Sequence, residues 1–183
     1  MDGSRFANAV VGLGVSPADL TWKAGVDVLS FGGTKNGCVA ADAVVLFDPR
    51  KAHDFGYARQ RAGHGFSKAW FMTAQFDAYL DGDHWLELAR TANARAAELA
   101  TAIRAAEGAR LALEPAGNEV FAILKRSVDE RLRAGGAVYY PWSAEGLPAN
   151  AWPSDDEVLV RLIASFATTD EDVAAFAALL LAA

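Results

Sequence analysis

An apolar stretch, Val26-Asp27-Val28-Leu29-Ser30-Phe31, runs straight into Gly32-Gly33-Thr34-Lys35-Asn36-Gly37, and this junction most narrows the folds open to the chain. The alternation over 26–31 predicts a buried strand. The glycines demand a turn, because they permit positive φ and let the backbone approach a neighbour closely. A buried strand therefore delivers a single lysine into a glycine-rich loop. That lysine has three readings: a phosphate clamp, a Schiff-base amine, or a solvated turn residue. The phosphate-loop pattern Gly-x-x-x-x-Gly-Lys-Ser/Thr is not supplied here. By pattern alone, the solvated lysine stands level with the functional readings.

Around this junction the pattern alternates helix and strand. Phe6 to Leu13 predicts a short helix. Ser16-Pro17 predicts another, with serine as cap and proline in the first helical position, running to about Lys23 and stopping at Gly25. Val39 to Phe47 reads as a second strand, although its alanines also tolerate helix. Arg50 to Ala62 and Lys68 to Leu80 read as helices separated by Gly63-His64-Gly65. The strongest periodicity runs from His84 to Glu107, with Trp85, Leu88, Ala92, Leu99 and Ile103 on one face. Beyond Gly108 the character changes. Short strands at 111–113, 120–124, 138–142 and 158–166, a helix at 128–133 and a final helix capped by Thr168 or Thr169 predict a small α+β unit.

Composition closes off several classes. Hydrophobic residues make up 52% and charged residues 22% of 183, so the chain is not intrinsically disordered. Lys+Arg is 17 and Asp+Glu is 23, a net charge of −6, which argues against a nucleic-acid partner. One cysteine, Cys38, gives no internal disulfide framework and fits a reducing compartment. No signal segment is convincing, and the apolar C-terminal run is too short to cross a bilayer, so the chain reads as cytoplasmic with no membrane partner. No histidine pair has metal-ligand spacing, and no metal site is expected.

Several segments together resemble a known family. Val26 to Cys38, VDVLSFGGTKNGC, closely resembles the pyridoxal-phosphate lysine segment of low-specificity L-threonine aldolases, in the beta-eliminating lyase family. Asp2-Gly3-Ser4-Arg5-Phe6-Ala7-Asn8 resembles that family's Asp-Gly-Ala/Ser-Arg segment. Ala62 to Lys68, and Arg161-Leu162-Ile163 followed by Thr168 to Asp172, fall in the same order. The resemblance covers essentially the whole chain. It implies an α/β fold of the aspartate-aminotransferase-like kind (pyridoxal-phosphate fold type I). Residues 1–82 would be the C-terminal part of the cofactor-binding large domain. Residues 83–183 would be a long connecting helix and a small α+β C-terminal domain.

The resemblance also implies a function. The family uses pyridoxal 5'-phosphate to cleave L-threonine or L-allo-threonine, small β-hydroxy-α-amino acids, to glycine and an aldehyde, and works as a homo-oligomer, a dimer or tetramer. Carried over by residue, Lys35 looks like the Schiff-base lysine and Asp2 like the carboxylate beneath the pyridine nitrogen. Arg5 looks like a cofactor-contacting arginine, and Arg161 like the clamp on the substrate α-carboxylate. Lys68 and Arg61 fall in the stretch that approaches the cofactor phosphate across a dimer interface. The chemistry suits these types: a Schiff base needs a primary amine, the ring nitrogen needs a carboxylate to stay protonated, and a carboxylate is best held by a guanidinium fork.

Family members carry a long segment ahead of the Asp-Gly-Ser-Arg motif. The chain thus reads as a C-terminal half, an N-terminally truncated form expected to be inactive alone. Two alternatives stand beside this: a non-catalytic folding or interaction module, or another pyridoxal-phosphate β-eliminating lyase. Cys38 reads as a packing residue and His64 as catalytic or as a loop or interface residue. Trp70, Phe71 and Phe76 read as core or dimer contacts.

Overall fold

The structure is a computed structural model that describes residues 1–182. It divides into two compact units, Met1–Ala89 and Arg90–Ala183.

The first unit is built on a three-stranded sheet of β1 (Asp2–Gly3), β2 (Val28–Gly32) and β3 (Asp42–Leu46). β1 runs parallel to β2, with Asp2 beside Ser30 and Gly3 beside Phe31, and β3 runs antiparallel to β2. Helix α1 (Phe6–Leu13) leaves β1 and ends at Gly14, whose φ of 64° forms the left-handed cap that closes the helix. Helices α2 (Phe55–Arg61) and α3 (Trp70–Leu80) follow. An aromatic cluster forms the core: Phe31 meets Phe6 and Trp85 edge-on at 5.8 and 5.7 Å. Such contacts add to the area that each ring buries.

The helix expected at 17–23 does not form. Ser16 does cap locally, accepting from the Asp19 backbone N–H at 3.2 Å, but Thr21 adopts φ −122°, ψ −108° and leaves the helical region. What remains is a turn and a 3-10 segment, Trp22–Ala24, closed by Gly25 at φ 84°. One capped turn without propagation is unfavourable as an α-helix. The second strand is also shorter than 39–47, because residues 38–41 are used to close the loop after β2.

Helix α4 (His84–Ala105) carries the chain into the second unit. There, β4 (Ala109–Leu111), β5 (Glu119–Lys125), β6 (Tyr140–Pro141) and β7 (Glu157–Ile163) form an antiparallel sheet in the order β4-β5-β7-β6. Alternation puts Val120, Ala122, Leu124, Val160 and Leu162 on one face. They form one core with Leu99 and Ile103 of α4, with Val128 and Leu132 of α5 (Arg126–Ala134), and with Val173 and Leu180 of α6 (Asp170–Leu181). Thr169 starts α6 with a reciprocal cap: its hydroxyl accepts from the Asp172 N–H, and the Asp172 carboxylate accepts from the Thr169 N–H. The opposite face of the sheet carries Glu119, Phe121, Tyr140, Arg161 and Ile163.

Candidate functional site

Lys35 sits in a 3-10 turn, Thr34–Asn36, that begins where β2 ends. The turn is closed from below by backbone. Gly33 N–H donates to the Ala41 carbonyl at 2.9 Å, and Asn36 and Cys38 donate back to the Gly33 carbonyl at 3.0 and 3.1 Å. Asp42 accepts from Gly33 N–H at 3.2 Å, and Thr34 Oγ1 accepts from Ala41 N–H at 3.2 Å. The glycines serve the protein's own packing. A Cβ on Gly33 would stand 2.7 Å from Cys38 Sγ, and one on Gly32 would stand 2.9 Å from Ser4 Cα. Gly37 holds φ 123°, a value that favours glycine. Lys35 itself is exposed.

Asn36 fixes this turn to the rest of the unit. It is 2% exposed and donates from Nδ2 to the Tyr79 hydroxyl at 2.6 Å and to the Trp85 carbonyl at 2.9 Å. The turn that presents Lys35 is thereby tied to the end of α3 and the start of α4. Burial pushes the Tyr79 hydroxyl up from its ordinary value. Cys38 is buried at the back of the turn, and burial, then the Asp42 carboxylate, pushes its thiol up. A thiol kept protonated is a packing group rather than a nucleophile.

Asp2 lies on β1, hydrogen-bonded to the strand that delivers Lys35. Ser4 N–H donates to its carboxylate at 2.9 Å. Hydrogen bonds from Ser4, and then the charge of Lys35, hold the carboxyl below the usual carboxylate range. Asp2 is therefore ionised at neutral pH and within electrostatic reach of Lys35. Arg5 follows at the N-cap position of α1 and is half-buried. Asp2, Arg5 and Lys35 thus gather around the β1–β2 pair.

Arg61 ends α2 and Lys68 lies in the turn before α3, both exposed. Lys68 lines an apolar groove with Val39, Phe66, Trp70 and Phe71, whose last two rings stack at 4.0 Å. His64 is exposed in the loop between α2 and α3, with its N–H donated to the Arg59 carbonyl.

Arg161 belongs to the second unit, on β7, flanked by Phe121 and Tyr140 in register. Its guanidinium carbon lies 4.1 Å from the centre of the Trp142 ring, and its Nη1 is 3.4 Å from Glu119. Its Nε is buried without a hydrogen-bond partner.

Sequence reasoning missed two of these residues. Asn36 reads in the sequence as part of a loop, because its partners lie 43 and 49 positions away. Trp142 reads as a strand end. Its contact with Arg161 follows from the β6–β7 pairing, which no local signal announces. Among the described residues no cluster of three metal-ligating side chains occurs, and no helix is long and apolar enough to cross a membrane.

The sequence model of one family, beta-eliminating lyase, matches residues 1–127. The low specificity L-threonine aldolase of Pseudomonas aeruginosa is 44% identical over 146 residues, 80% of this chain and 42% of that protein. A second low specificity L-threonine aldolase, from a Pseudomonas species, is 40% identical over the same shares. The solved structure of Leishmania major threonine aldolase matches with a TM-score of 0.84 and 25% identity, over 98% of this chain and 49% of that one. A glycine decarboxylase (P-protein) of the glycine cleavage system matches in fold alone, with a TM-score of 0.52 and 17% identity over 93% of this chain and 46% of that one. The chain thus spans a little under half the length of each.

Proposed function

Because this chain belongs to the beta-eliminating lyase family, we propose that it holds pyridoxal 5'-phosphate at Lys35 and contributes to aldol-type cleavage of β-hydroxy-α-amino acids such as L-threonine. The observation that carries this reading is the pairing of β1 with β2, which sets an ionised Asp2 near the turn that presents Lys35. The donor set suits the cofactor: a primary amine, a carboxylate that stays charged at neutral pH, and Arg5 three residues further on. When bound, pyridoxal phosphate supplies an electron sink that stabilises negative charge at the amino acid's α-carbon.

The chain's own residues do the rest. Lys35 would hold the cofactor through its primary amine and, when that amine is free, would move a proton at the substrate's α-carbon. Asp2 would favour a proton on the ring nitrogen by opposing its charge. Arg161 orients the substrate by its α-carboxylate, and a guanidinium fork fixes direction as well as position. Lys68 and Arg61 are exposed cations suited to the cofactor phosphate of a second copy. Because Lys35 and Asp2 are both exposed, we expect further protein to complete the walls that exclude water, and the chain by itself to turn over little substrate.

The test is to add pyridoxal phosphate and L-threonine to the full chain, and to follow visible absorbance together with glycine release. A stoichiometric band that Lys35→Ala removes, with little glycine, is the expected result. No band in the parent chain overturns the cofactor reading. A band accompanied by rapid glycine release keeps it and overturns the expected dependence on further protein.

A further inference from the structure

We propose that Trp142 is a positioning residue for Arg161: its indole fixes the guanidinium so that one edge stays open to a substrate carboxylate. The inference rests on the reading of Arg161 as the carboxylate clamp and deepens it.

The geometry restrains the guanidinium on one face and along its Nε edge, and leaves the Nη end weakly occupied. One face is covered, with the guanidinium carbon 4.1 Å from the centre of the Trp142 ring. The Nε edge is closed, because that nitrogen is buried and has no partner. The Nη end faces Glu119, but at 3.4 Å, longer than the roughly 2.7–2.9 Å of a strong charge-assisted bond. A carboxylate arriving at the Nη end therefore competes with a weak occupant and meets a fork whose orientation is already set. Preorganisation of this kind raises affinity by removing an ordering cost that the ligand would otherwise bear.

Trp142 is itself held in place. Its backbone N–H donates to the Leu159 carbonyl at 2.8 Å, which extends the β6–β7 pairing by one residue beyond Pro141. Its ring meets Phe121 at 5.8 Å in an edge-on contact, and Phe121 stands directly across from Arg161 on β5. Phe121, Trp142 and Arg161 thus form a closed set on one face of the sheet. Trp142 remains 44% exposed, so the ring is not needed to fill the core. A large aromatic left half in water beside an arginine with an orphaned donor is better explained by what it does to that arginine than by packing.

The experiment uses the full chain labelled with ¹⁵N and follows the Arg161 Nε–H resonance, assigned by its loss in Arg161→Lys. Sodium acetate is the probe, with acetamide and equal-ionic-strength sodium chloride as controls. The parent chain is expected to show a saturable shift with acetate alone. Trp142→Ala is expected to weaken acetate binding about tenfold, the effect of a desolvated cation–π contact. Trp142→Leu keeps apolar bulk without a ring face and is expected to behave like the alanine variant, whereas Trp142→Phe restores most of the affinity. If Trp142→Leu binds acetate like the parent, the ring face is irrelevant and the inference falls while the clamp reading stands. If the parent chain shows no saturable acetate shift, the clamp reading itself falls.

Discussion

Asn36 shows how much of a reactive turn is decided by a residue that does no chemistry. Its amide ties the Lys35 turn to Tyr79 and Trp85 through buried hydrogen bonds. Asn36→Ala leaves the Tyr79 hydroxyl and one Trp85 acceptor site buried without that donor, so it is expected to destabilise the chain by about 2 kcal/mol. Urea unfolding measures this, and a loss below about 0.5 kcal/mol would contradict the anchoring role. Lys35 and its glycines were legible in the sequence because the strand-to-turn junction is contiguous. Asn36 was not, because a polar side chain next to a loop lysine looks solvated until the residues that bury it are known. The glycines were legible as necessary but not in their role. Gly32 and Gly33 make room for Ser4 and Cys38 of the same chain.

Elements were legible where local signals agreed and lost where tertiary contacts decided. The α1 and α4 periodicities and the Thr169 cap carried through to helices that begin at the expected residues. The Ser16-Pro17 signal did not, since a cap and a proline can open a helix but cannot extend it past Thr21 and Gly25. Helix α3 raises a different point. Trp70 and Phe71 stack on each other yet stay more than half exposed, beside Phe66 and Val39. An exposed apolar face of this kind is suited to docking, and the homo-oligomer that the family resemblance implies would give it an occupant in a second copy of the chain. Light scattering on Trp70→Asp/Phe71→Asp is expected to show a lower mass than the parent chain. Equal masses would exclude this face from self-association.

At the scale of the whole molecule, the two units carry different parts of the proposed chemistry. The first holds Lys35, Asp2 and Arg5, proposed to bind the cofactor, and the second holds Arg161 on the sheet face opposite its core. Length and composition say only that a chain of this kind can bury a core, and each unit does contain one. Neither quantity hinted that β3 would pair only with β2 among the described residues, or that Val39 would stand 87% exposed beside the lysine turn. The family resemblance, in contrast, rests on short strings whose chemistry is specific. The proposed function stands or falls with Lys35 as the cofactor lysine. Its most direct test is to mix the full chain with one equivalent of pyridoxal phosphate, reduce with borohydride, digest, and locate the modified peptide by mass spectrometry. Label is expected at Lys35 in clear excess over Lys23, Lys51, Lys68 and Lys125, and is expected to be lost when Asp2→Ala and Arg5→Ala are combined. Label spread evenly over the five lysines, or concentrated elsewhere, would contradict it.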